Sequence, residues 1–345
     1  MELFQAVMKR RKALKIAGIS AMATIGGLGI VRSFLAEIGL DLVRETRTKM
    51  GTLVTISVVH RDTSFARNIL DEAFTEIDRL ENIFSRYREG TPVWILNREG
   101  TLKNPAPEIL EVLRHALKIN SLTDGAFDVS VAPLIDLYSN SFEERGGAPS
   151  ADEIEDALSL VGSENIALDA NKIVFERSGM SVSFDGIAKG FIVDKVVKIL
   201  KRRGIKGGLI DAGGDMGAVG KDLLGQNWRL AIQHPRIPDS YLTVINIEEG
   251  AVATSGDYMQ YLTEDLVVHH IIDPRLGTSP DHTSAVSVVA PTAAAADALS
   301  TAILVLGPEA GMLLLNELPE AEGILVTKEQ EVIKSEGFFR YEVTI

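Results

Sequence analysis

Hydrophobic and polar positions alternate along "MGTLVTISVVH" (50–60), where β-branched residues dominate, and the spacing predicts a strand. Just after it, "SFARNILDEAFTEIDRLENIFSRY" (64–87) places Ile69, Ala73, Ile77, Leu80 and Phe84 three or four residues apart, the pattern of a long amphipathic helix. A second helix is predicted over 106–122, ending in the turn "TDGAFD". The polar stretch "SNSFEERGGAPS" (139–150) reads as a loop, a boundary or lid, before a short helix at 151–161. Strands are predicted over 171–176 and 180–184, then a helix over 187–203 that stops at Gly204. "GGLIDAGGDMGAVG", "WRLAIQHP", "YLTVINIEEGAVATSG" and "LVVHHIIDP" read as strands separated by turns. A helix in "APTAAAADALSTAILVLG" (290–307) follows, with closing strands at 322–326 and 338–344. Strands next to strands, with helices grouped between them, predict an α+β fold of mixed or antiparallel sheets rather than alternating βαβ units.

The first residues break this pattern. A basic cluster (Lys9, Arg10, Arg11, Lys12, Lys15) precedes Ile16 to Val31, a run without charge. As a helix that run covers roughly 24 Å, short of the roughly 30 Å of a hydrocarbon core. Residues 1–36 therefore read as an export signal or an N-terminal membrane anchor, with 37–48 as a linker and 49–345 as the working region. "RRKALK" is similar to the twin-arginine export consensus, with Ala13 where Phe is usual, and points to a periplasmic or extracytoplasmic location. An ordinary amphipathic helix is the alternative. The chain has no Cys, which excludes a lipoprotein anchor, disulfides, Fe–S ligation and a Cys nucleophile. Of the net charge of −13, residues 1–36 carry six Lys or Arg against one Glu, so the remainder is more acidic still. That body would repel phosphate backbones, and no nucleic-acid partner is expected.

Several segments could carry chemistry. "GGDMGAVG" has the spacing G-x-x-G-x-x-G, which is not a dinucleotide fingerprint, and its glycines read as turn and packing residues. "FDGIAKG" turns through Asp185 and Gly186 into a helix whose first turn holds Lys189. This is either a pyrophosphate cradle or a tight turn with a solvated lysine. In "TDGAFD", Phe127 and Asp128 either present a ring beside a carboxylate or serve as core residue and N-cap. His269 and His270, if on a strand, point to opposite faces and cannot chelate one metal together. Asp297, Ser300 and Thr301 lie at i, i+3 and i+4 on one face of an otherwise apolar helix. A carboxylate there is costly unless it caps the helix or meets a hard cation such as Mg²⁺; both readings stand.

Taken together and in order, "MGT" (50–52), "SRYREGTPVWILN" (85–97), "GAFDVSVAPL" (125–134), "DGIAKGFIVDKV" (185–196), "DAGGDMGAVG" (211–220), "ATSGDYMQYL" (253–262), "HIIDPRLG" (270–277) and "SVVAPTAAAADALSTAILVLGPEAG" (287–311) resemble the ApbE family of flavin transferases. The resemblance implies an α+β, T-fold-like architecture in two intertwined lobes with the flavin between them. It implies Mg²⁺-dependent transfer of FMN from FAD to a Thr or Ser hydroxyl of a target protein, with release of AMP. Carried over by position, Met50, Tyr87, Ala126, Phe127, Asp128, Lys189 and Ile272 contact FAD. Asp297 and Thr301, helped by the Gly186 carbonyl, bind Mg²⁺, and His270 is the proton acceptor.

Two positions depart from the family pattern. Ser183 stands where members often have Asp, with Asp185 at a usually small position, so either Asp185 takes over that contact or FAD is held differently. Ser300 stands where many members have a further Asp, leaving one fewer carboxylate for the metal. The implied partner is a protein of a membrane or exported redox system with an S/T-G-A-S/T-like acceptor segment. The competing readings are an FAD pyrophosphatase, which releases AMP without an acceptor, and an exported FAD-binding flavoprotein that makes no covalent bond.

Overall fold

The chain enters the fold on an edge strand. The computed structural model describes residues 39–343, so the predicted export segment lies outside the described residues. The expected linker is instead β1 (Asp41–Lys49), paired antiparallel over its whole length with β2 (Thr52–His60). Its side chains are alternately exposed and half-buried, because an edge strand needs only backbone pairing and one semi-apolar face. That polarity hid it from a search for hydrophobic runs.

Asp62 caps α1 (Thr63–Phe84), and Thr91 caps α2 (Pro92–Glu99), a helix too short to show a period. β3 (Thr101–Lys103), β4 (Ile166–Leu168) and β5 (Lys172–Phe175) form a small antiparallel sheet in the order β3-β5-β4. Around it lie α3 (Pro107–Leu122), α4 (Ala132–Arg145) and α5 (Ala151–Leu158). The loop expected from 139 begins only at Gly146, whose left-handed backbone ends α4. Residues 180–184 are not a strand: Asn97 takes the place of a partner strand, its side chain exchanging two hydrogen bonds of 2.8 Å with the backbone of Val182.

The larger sheet is antiparallel, in the order β1-β2-β6-β7-β10-β11-β12-β13. Its later strands are β6 (Gly207–Ala212), β7 (Asp215–Gly220), β10 (Gly250–Gly256), β11 (Thr283–Ala290), β12 (Glu322–Thr327) and β13 (Val332–Lys334). β11 is buried at every position, so it lacks the alternation that would have announced it. On one face pack α1, α6 (Ala188–Arg202), α7 (Ala293–Leu306) and α8 (Pro308–Glu317). A separate cluster joins Val59, Ala218, Val252, Val289 and Ile324 to the hairpin β8 (Trp228–Gln233) and β9 (Tyr241–Ile247). Two further predictions fail. Residues 338–340 form a 3₁₀ turn, and 267–273 have no strand pairing beyond one bridge, Tyr261 to His269. Among the described residues no helix is long and apolar enough to cross a membrane.

Candidate active site

Two helices and two hairpin turns meet at one place. α6 and α7 approach so closely that a Cβ on Gly190 would stand 2.2 Å from the Ala293 carbonyl oxygen, so only glycine fits. The contact is locked at both ends: Asp194 accepts from the amides of Ala293 (2.8 Å) and Ala294 (3.0 Å), and the Gly190 amide donates to Asp297 Oδ2 (3.0 Å). The alanines that open α7 therefore serve helix packing, and its first amides are taken by Asp194 and Thr292.

Asp297 is buried, and within hydrogen-bonding reach of it lies Asp215, at the start of β7. Burial first, and then the charge of Asp215, pushes the Asp297 carboxyl well above the ordinary range; burial likewise raises Asp215. Lys189 Nζ lies 3.1 Å from Asp215 Oδ2. Burial opposes the charge of Lys189, but Asp215 and Asp297 outweigh it and hold the ammonium firmly protonated. One lysine thus faces two carboxylates.

The hydroxyls nearby have a direction. Ser300 Oγ donates to the Asp297 carbonyl (2.9 Å), so its lone pair must accept from Ser255 (2.8 Å), and Ser255 in turn accepts from Thr301 (3.0 Å). With its hydrogen pointed at Ser255, Thr301 Oγ1 turns its free lone pairs the other way. A Cβ on Gly186 would lie 3.3 Å from that oxygen and 3.2 Å from the Phe127 ring, so the Gly186 backbone borders it. Two buried carboxyl groups, a hydroxyl lone pair and a neighbouring backbone make a donor set of hard oxygens, and that set fits Mg²⁺. Ser300, which stands where many members have a further Asp, is a link in the hydroxyl chain. Asp215 and Ser255 were not singled out from the sequence as metal-site residues, since their role appears only once β7 and β10 lie beside α7.

The remaining expected site residues have their own surroundings. Met50 sits at the β1–β2 tip with a left-handed backbone (φ 51°), followed by Gly51. That tip touches the β6–β7 turn, because a Cβ on Gly213 would meet Thr52 Oγ1. Tyr87 is exposed and donates to Asp185 (2.9 Å), so Asp185 holds a tyrosine; Ser183 Oγ accepts from the Asp185 amide (3.2 Å). Asp128 accepts from Asn120, from Ser130 and Ser163 through both amide and hydroxyl, and so is fully occupied holding the 123–128 turn. Ala126 and Phe127 are buried in that turn, and Ile272 packs in a cluster with Leu134 and Tyr138. His270 Nδ1 lies 2.9 Å from the Gln260 carbonyl. A carbonyl can only accept, so Nδ1 carries a hydrogen, and in the neutral ring the lone pair is on Nε2. Asp257, in the same segment, is fully buried and bound by Arg236 and Lys328.

The family model that matches residues 50–325 is described as the ApbE family. The chain belongs to the ApbE family. A curated relative, the FAD:protein FMN transferase of Vibrio cholerae serotype O1, is 33% identical over 258 residues, 71% of this ApbE chain and 77% of the relative. The FAD:protein FMN transferase of Treponema pallidum is 29% identical over 313 residues, covering 84% and 85%. Among solved structures, the ApbE protein of Thermotoga maritima superposes with a TM-score of 0.81 at 29% identity, over 88% of this chain and 100% of that one. The flavin transferase ApbE of Vibrio cholerae gives 0.78 at 26%, over 88% and 99%. The α+β architecture of the ApbE chain is therefore that of its family.

Proposed function

We propose that this ApbE chain is an FAD:protein FMN transferase that moves FMN from FAD to a Thr or Ser hydroxyl of a target protein and releases AMP. The observation that carries the reading is the pair of buried carboxylates, Asp215 and Asp297, facing the Thr301 lone pairs and the Gly186 backbone. Burial and mutual repulsion resist ionising both carboxyls at once, so a cation between them would stabilise the charged pair, and a pyrophosphate needs such a cation. Asp297, Thr301 and the Gly186 carbonyl would hold Mg²⁺, with Asp215 beside them. When bound, that ion neutralises charge on the pyrophosphate as the phosphorus–oxygen bond to AMP breaks.

The chain's own residues do the rest. The Lys189 ammonium stands ready for a phosphate oxygen. Met50, Tyr87, the Ala126-Phe127 turn and Ile272 would supply surface for the flavin nucleotide; the Phe127 ring beside Gly186 and the Tyr87 hydrogen bond to Asp185 support this. His270, its Nδ1–H tied to Gln260, presents Nε2 to take the proton of the incoming hydroxyl. The hydroxyl oxygen bonds to the FMN phosphorus, and AMP leaves with the electron pair of the broken bond. The basic cluster and uncharged run of residues 9–31 support an exported protein acting on a membrane or secreted redox partner.

The test is to incubate the protein with FAD, Mg²⁺ and a candidate acceptor bearing an S/T-G-A-S/T-like segment, and to weigh the acceptor. An FMN-sized gain that disappears with chelator is expected. AMP released equally fast without acceptor, with no mass gain when acceptor is present, would overturn transfer in favour of pyrophosphate hydrolysis.

A further inference from the structure

His270 stands in a 26-residue connection, 257–282, that joins β10 to β11 without regular helix or strand. A segment that long holds one shape only if side chains pin it. Within it, residues 260–270 fold back on themselves: Leu262 N–H donates to the Val268 carbonyl (2.8 Å), and Gln260 accepts from the amide and ring of His270. Leu266, at the tip, has a left-handed backbone (φ 63°), a conformation a leucine adopts only under constraint.

One side chain from outside supplies that constraint. Lys328, just past the end of β12, places Nζ 2.6 Å from Asp257 Oδ2 at the base of the connection and 3.1 Å from the Leu266 carbonyl at its tip. The Lys328 amide also donates to the His282 carbonyl at the far end (3.2 Å). Lys328 therefore touches the start, middle and end of the segment whose Gln260 carbonyl sets the His270 tautomer. It lies just beyond residue 325, where the family match stops.

We propose that Lys328 is a positioning residue for His270, holding the 257–282 connection in the shape that aims Nε2 at the acceptor hydroxyl. The proposal rests on His270 being the proton acceptor. Removing Lys328 need not unfold the chain, because Asp257 keeps Arg236, whose two terminal nitrogens lie 2.7 and 2.6 Å from its oxygens.

Single-turnover FMN transfer at saturating FAD, FAD affinity by flavin fluorescence and proteolysis of the connection would be compared in wild type, Lys328→Met, Lys328→Arg and His270→Ala. Lys328→Met is expected to slow transfer by about tenfold to a hundredfold, in the range a misplaced catalytic group costs. FAD affinity should be unchanged, cleavage within 260–270 faster, and Lys328→Arg should restore most of the rate. If His270→Ala is slow but Lys328→Met transfers at the wild-type rate, or loses FAD affinity in step with transfer, the positioning role falls and the reading of His270 stands. If His270→Ala transfers undiminished, the base and the proposal fall together.

Discussion

Asp297 shows how far a single residue can be read. An acid at i and a hydroxyl at i+4 in a helix of Ala, Leu and Val already signalled a partner, because a lone buried carboxylate is costly. Asp215, 82 positions earlier, gave no such signal, since "GGD" at a hairpin is also ordinary turn chemistry. The pair leads to a prediction. In Asp297→Asn the side-chain oxygen can still accept from Gly190 and the new NH₂ can donate to Asp215, while one buried like charge disappears. Transfer should be lost, yet the protein in chelator should become more stable by about 1 kcal/mol, a shift of a few degrees in thermal unfolding. A lower midpoint in chelator would contradict repulsion between the two carboxylates. His269 gives a pH prediction. Burial pushes its pKa down from 6.5 to about 4, and Nε2 lies 3.1 Å from the Pro280 carbonyl. The unfolded chain takes up a proton near 6.5 that the folded chain refuses until about 4. Its contribution is thus full above 6.5 and lost as pH falls through that window, by roughly 3 kcal/mol in all. Denaturant titrations at pH 7 and 4.5 should show a shallower acid loss in His269→Gln than in wild type.

Among elements, α1, α3 and α6 were legible because each buries one regular stripe, and α7, buried nearly all round, because its long apolar run is made of helix formers. The segment around His269 and His270 was not. "LVVHHII" has the composition of a strand, but its partners are side chains and its own upstream residues, and no periodicity encodes a contact with Lys328. The α6–α7 contact likewise depends on one glycine that looked like a feature of a phosphate-binding turn. Gly190→Ala would drive a methyl group into the Ala293 carbonyl, and the helices must separate to admit it. Overpacking of this kind costs about 1–3 kcal/mol or more. Because separation carries Asp297 away from Lys189 and Gly186, transfer should fall further than the lost stability explains. Activity measured well below the unfolding midpoint checks this; a variant that is less stable but fully active would mean the site tolerates helix displacement.

At the scale of the whole molecule, every residue proposed to hold FAD or the metal, to move the proton or to position His270 lies between Met50 and Lys328. Deleting residues 1–38 should therefore leave kcat/KM for a soluble acceptor unchanged, within about twofold, while any requirement for that segment would appear only with a membrane-bound acceptor. The polar edge strand gives this deletion a geometric meaning. β1 runs nine residues from Asp41 to Lys49 and ends at the Met50 tip beside Gly213. At about 3.4 Å per residue it spans roughly 30 Å. The strand therefore works as a fixed-length spacer: it sets the entry of the described chain near Asp41 and the Met50 tip roughly 30 Å apart, at opposite ends of one rigid edge.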